Sequence, residues 1–119
     1  MDFSLSQEHQ SIFEMAYEFG QKQIAPNALA WEKDGTIPKE LWKHAGELGL
    51  GGIYVSEKYG GSGLNRLDAS LIFEAMAMAC PSVSSFLTIH NMCGGMIEKF
   101  GSEELKEKWL PRLLSLIHI

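Results

Sequence analysis

The feature that most constrains this 119-residue chain is a pair of apolar stretches meeting at Pro81, RLDASLIFEAMAMAC and PSVSSFLTIHNMCGGMIEKF. The first, which Asn65 can cap, is apolar almost all round, and that predicts a helix buried between other helices. The second begins with proline, whose missing N–H costs nothing in the first turn of a helix. Its expected buried stripe is Val83, Phe86, Leu87, His90, Cys93, Ile97 and Phe100, and Gly101 closes it.

The flanking segments carry helix signals as well. Ser6 caps a first helix whose apolar positions Ile12, Phe13, Ala16, Phe19 and Ile24 recur at three- and four-residue steps. Pro26 interrupts a pattern that continues to Trp31, so the helix should kink or restart there. Pro38 opens a segment with the stripe Leu41, Trp42, Ala45 and Leu48, and Gly49 is placed as its C′ glycine. Ser102 caps a last helix, with Glu103 and Glu104 at the positive end of its dipole. Ile53 to Val55 is one short extended run, which cannot make a sheet. The predicted fold is all-α, an orthogonal or bundle-like array of about five helices, forming one domain over residues 1–113.

A net charge of −5 without a basic stripe removes the usual footprint for nucleic acid and for anionic membranes. No apolar run is long enough to span a bilayer. Cys80 and Cys93 are too few for a disulfide framework, which points to a reducing, intracellular compartment. The opening MDFSLSQEHQ has neither signal-peptide nor transit-peptide character.

Three features bear on chemistry. EKYGGSGL offers Gly60, Gly61 and Gly63 as a candidate phosphate cradle. A dinucleotide fingerprint would need a third glycine where Arg66 stands, and a P-loop would need lysine where Leu64 stands. The alternative is a tight turn with positive φ ahead of the Asn65 cap. Glu74 is a lone carboxylate in an apolar helix, a general base if buried and otherwise an edge residue; no partner acid, base or nucleophile lies nearby in sequence. Ser84, Ser85, Thr88, His90 and Asn91 put small polar groups into an apolar segment. They either bond to helical carbonyls one turn back or line a ligand pocket. His90 and Cys93 share a face, but two ligands do not make a metal site. Trp31, Trp42 and Trp109 read as core or interface aromatics.

Taken together, IAPNALAWEKDGTIPKELWKHAGELGLGGIYVSEKYGGSGL and IHNMCGGMIEKFGSEELKEKWLPRL resemble the N-terminal helical domain of acyl-CoA dehydrogenases. The shared marks are Pro26, the Ile37-Pro38 pair, the Gly49–Gly52 helix end, the Tyr59–Gly63 loop and the FGSEELKEKWLPRL stretch. GGSGLNRLDASLIFEAMAMAC and IHNMC look most like the isobutyryl-CoA subgroup. The resemblance implies a homotetrameric FAD enzyme that oxidises a short or branched acyl-CoA to its 2-enoyl-CoA and passes electrons to an electron-transfer flavoprotein. It also implies a cytoplasmic location in a bacterium or the mitochondrial matrix in a eukaryote.

In that family the catalytic glutamate and most FAD contacts lie in later domains, so no catalytic, cofactor-binding or metal residue is expected here, and Glu74 does not inherit the base role. Ser84, Ser85, Thr88 and Met92 are the expected acyl-pocket positions. The chain by itself is expected to be inactive. LSLIHI, residues 114–119, departs from the family and reads like translated transposase-adapter sequence, so a truncated gene model with a non-native tail is expected; a natural apolar helix end is the alternative. A free-standing helical interaction module without catalytic activity is the rival to the enzyme reading.

Overall fold

The computed structural model describes residues 1–116, and no strand forms among them. Six α-helices are present: α1 Gln7–Phe19, α2 Ala28–Asp34, α3 Lys39–Glu47, α4 Arg66–Ala79, α5 Pro81–Phe100 and α6 Glu103–Leu114. A π-helical turn, Gly20–Ile24, prolongs α1, and a 3-10 turn, Glu57–Tyr59, sits in the long α3–α4 connection. Residues 117–119 of the expected tail lie outside the described residues, whereas Leu114 and Leu116 are buried.

The expected caps form. Ser6 Oγ accepts from His9 N–H at 3.1 Å and Ser102 Oγ from Leu105 N–H at 3.3 Å. Asn65 and Asp68 make a reciprocal capping box, each side chain accepting the other's backbone N–H at 2.9 and 3.0 Å. Pro26 ends the first helical run, and α2 restarts two residues later. That restart raises the helix number to six, against the expected five or so.

The molecule is a slab of 45 × 41 × 18 Å. A helix with its side chains is about 10 Å across, so the slab is about two helices thick and each helix has one face inside and one outside. α1 packs along α4, and α4 packs on α5. Ala16, Phe19, Leu41, Trp42, Ile72, Met76, Val83 and Leu87 meet in the core. α3 buries Leu41, Trp42 and Ala45 as expected, but Leu48 is exposed.

The stripe predicted for α5 is rotated. Its buried residues are Val83, Ser84, Leu87, Asn91 and Gly94, whereas Phe86, Cys93 and Phe100 are exposed. The physical reason lies in what α5 packs against. Along its middle the neighbour is the irregular segment Leu50–Val55, whose backbone needs polar partners. Asn91 supplies them. Its Oδ1 accepts from Ile53 N–H at 2.7 Å, and its Nδ2 donates to the carbonyls of Leu50 and Leu87 at 2.8 and 2.9 Å. Gly94 completes the fit, since a Cβ there would stand 3.4 Å from Val55 Cγ2.

Candidate functional site

The polar band of α5 divides between two roles. Ser84 is buried, and its Oγ donates to the Phe73 carbonyl of α4 at 2.8 Å. That bond fixes α5 against α4. Ser85, one residue on, is turned about 100° around the helix and is exposed. Thr88 and Met92 follow at three and seven residues from Ser85, so the three share one exposed helical face. Thr88 Oγ1 donates to the Ser84 carbonyl one turn back, at 2.8 Å. The structure therefore groups Ser85, Thr88 and Met92 and sets Ser84 at the buried edge beside them.

Ser85 also lines an open groove of about 750 Å³ with Ser82, Phe86, Ile89, His90 and Cys93. A second groove of about 780 Å³ lies across the first turn of α5, between Trp31, Ile37, Trp42 and Cys80, and shares Pro81 and Ser82 with the first. Apolar walls with a few hydroxyls are the usual make-up of a small-molecule site. Packed rings build the groove wall: Trp42 and Phe86 rings lie 4.1 Å apart, Phe86 stacks on His90 at 6.1 Å, and His90 Nε2 donates to the Leu113 carbonyl at 2.8 Å. Ser82, Phe86, Ile89 and Cys93 were not expected to form a wall. Their spacing of four, three and four residues is a second helical stripe, readable once the first is assigned to Asn91 and Gly94.

The glycine loop does not fit a phosphate. Each N–H from Gly60 to Leu64 already donates to a backbone carbonyl: Glu57, Ser56, Gly52, Val55 and Ile53 in turn, at 2.8–3.0 Å. Gly60 and Gly63 have φ of +91° and +64°. At Gly61 a Cβ would lie 2.0 Å from the Val55 carbonyl oxygen. The glycines thus close a backbone ladder and leave no cradle. Glu74 is exposed on α4, and no metal-holding cluster of His, Cys, Asp or Glu occurs among the described residues. No described helix is long and apolar enough to cross a membrane.

An all-helical slab with an apolar, hydroxyl-bearing groove at one helix start defines a domain that can form one wall of a ligand site. The chain belongs to the acyl-CoA dehydrogenase family: residues 6–116 match the family described as Acyl-CoA dehydrogenase, N-terminal domain. It is 46% identical over 94% of its length to a mitochondrial isobutyryl-CoA dehydrogenase of Dictyostelium discoideum, and 39% identical over 94% to that of Bos taurus. The solved structure of butyryl-CoA dehydrogenase from Megasphaera elsdenii superposes with a TM-score of 0.86 at 35% identity over 98% of this chain and 31% of that one. The chain spans 27% of the length of each of the two isobutyryl-CoA dehydrogenases.

Proposed function

We propose that this chain is the N-terminal domain of a flavin-dependent acyl-CoA dehydrogenase that oxidises a short or branched acyl-CoA to its 2-enoyl-CoA. The observation that carries the reading is the exposed face of Ser85, Thr88 and Met92 beside an apolar groove, in a domain of that family. On this reading those three residues line part of the acyl pocket. Ser84 acts through its bond to Phe73, holding α5 in place so that the other three face the acyl chain.

FAD, when bound, accepts the hydride. The glycine loop offers it no phosphate cradle. Electron-transfer flavoprotein as acceptor, a homotetramer, and a bacterial cytoplasmic or mitochondrial matrix location complete the proposal. The 119-residue chain alone is inactive on this reading.

The test is a longer protein with residues 6–116 in their native context. It should be yellow, and isobutyryl-CoA or another short acyl-CoA should bleach the flavin band. Ser85→Val should change the KM ratio between straight and branched substrates more than it changes kcat. A colourless longer protein with no acyl-CoA response would remove the enzyme reading and favour a helical interaction module.

A further inference from the structure

We propose that the groove between Tyr54, the start of α4 and the last turns of α5 is a binding site for a small oxyanion, a phosphate or carboxylate group. The groove has a volume of about 480 Å³ and is lined by Tyr54, Asn65, Arg66, Gly95, Glu98 and Lys99, among others. It lies away from Ser85 and shares no lining residue with either groove at the start of α5.

Two cationic residues line it, Arg66 and Lys99. Among the described residues the ion pairs are His9–Asp68, Lys22–Glu18, Lys58–Glu103 and Lys106–Glu103, so Arg66 and Lys99 belong to none. Glu98 also lines the groove, but its Oε1 accepts from Ser56 N–H at 3.0 Å, which holds that carboxylate to the backbone.

Arg66 is also held ready. Its Cζ lies 3.7 Å from the centre of the Tyr54 ring. The ring in turn rests on Gly95, where a Cβ would stand 2.9 Å from Tyr54 Cε2 and 3.8 Å from Arg66 Nη2. Gly95 lies inside α5, and its missing Cβ makes room for this pair. A cation–π contact uses the guanidinium charge and leaves its forked N–H donors for an oxyanion. Lys99, whose Nζ lies 5.3 Å from the Phe100 ring centre, adds a second positive charge. A planar guanidinium fork suits two oxygens of one phosphate or carboxylate, and Lys99 lines the same groove.

The experiment uses the full chain, with sodium phosphate or sodium acetate titrated against sodium chloride at matched ionic strength. Amide and Arg Nε–Hε NMR shifts at Tyr54, Arg66 and Lys99 should move saturably, and phosphate should raise the melting temperature above the chloride control. Arg66→Gln should weaken phosphate binding by about tenfold, the loss of one charge-assisted interaction. Arg66→Lys keeps the charge and the helix start but loses the fork, and should weaken it by a smaller factor. Saturation by phosphate alone identifies a phosphate site, and saturation by both anions extends it to carboxylates. Shifts no larger than chloride produces, or equal phosphate affinity in wild type and a folded Arg66 variant, would overturn the proposal.

Discussion

The two faces of α5 obey opposite rules. The inner face carries Val83, Ser84, Leu87, Asn91 and Gly94, small or polar residues for the most part. The outer face carries Phe86, Ile89, Met92, Met96 and Phe100, large apolar residues that are 38–73% exposed. Hydropathy alone would turn this helix over. The difference teaches that the inside of a helix is set by what it touches. Where the neighbour is irregular backbone, an amide and a glycine fit better than leucine, because carbonyls and N–H groups left dry are costly. No buried side-chain nitrogen or oxygen among the described residues lacks a partner.

The inner face breaks most easily at Asn91. Asn91→Ala removes three hydrogen bonds and leaves Ile53 N–H and the Leu50 carbonyl without their partner. We expect a loss of about 3 kcal/mol or more, since each buried group left unsatisfied costs about 1–3 kcal/mol. Urea unfolding reads this directly. A loss under about 1 kcal/mol would mean that water replaces the amide and that the inner face is not sealed. Asn91→Leu, the substitution hydropathy favours, should be no better than alanine.

The segment that Asn91 holds provides the second test. Gly61→Ala drives a Cβ to 2.0 Å from the Val55 carbonyl oxygen, a backbone atom that cannot swing away. Its cost should be about 2–3 kcal/mol, as for other overpacked sites. Gly60→Ala meets open space, and only its φ of +91° opposes it, so about 1–2 kcal/mol is expected. The order distinguishes close approach from turn geometry. Equal costs at the two positions would show that the ladder relaxes. In a longer protein of the proposed kind, folded variants at either glycine should keep their flavin affinity.

Local signals were legible in the chain and distant ones were not. Ser6, Asn65 and Ser102 cap the helices they precede, and Gly49 takes its positive φ of +80°, because capping depends on residues only a few positions away. The restart after Pro26 was readable for the same reason. The orientation of α5 was not, because it depends on Asn91 meeting Ile53, 38 residues earlier. Of the four expected pocket residues, Ser84 faces α4 since a carbonyl there accepts its proton. Periodicity could identify the polar band but could not divide it between the two faces. The π-helical turn at Gly20–Ile24 had no sequence signal, although Gly20 fits it: a Cβ there would stand 3.0 Å from Ala79 Cβ.

A smaller effect is expected where α6 meets the same segment. Tyr59 Oη donates to Glu103 Oε2 at 2.8 Å, and Lys58 and Lys106 flank the carboxylate. The Tyr59 hydroxyl first, then Lys106 and Lys58, hold the Glu103 pKa down to about 2 from 4.5. A depressed carboxylate stabilises the fold fully above its unfolded pKa and loses that contribution as pH falls through the folded value. The difference in melting temperature between wild type and Glu103→Gln should therefore be constant above pH 4.5 and shrink toward pH 2. Its size should be modest because the site is exposed and screened. A difference that does not change over that range would locate the effect in Tyr59 packing instead.

The smallest effect on the stability of this chain should come from the outer face, and its size there discriminates most sharply. Met96 is 53% exposed and Ile89 equally so. Exposed apolar side chains contribute little to the fold that displays them, so Ile89→Ser and Met96→Ser should each shift stability by no more than about 0.5 kcal/mol. In a longer enzyme whose other domains cover α5, the same changes should cost about 2 kcal/mol each, the value of a buried aliphatic side chain. The ratio between the two contexts thus measures cover directly. A loss above about 1 kcal/mol in the 119-residue chain would mean that something already covers this face. Concentration dependence would then tell whether that cover is a second copy. If the loss rises with protein concentration, α5 pairs with itself, and the contrast between its faces is one of assembly.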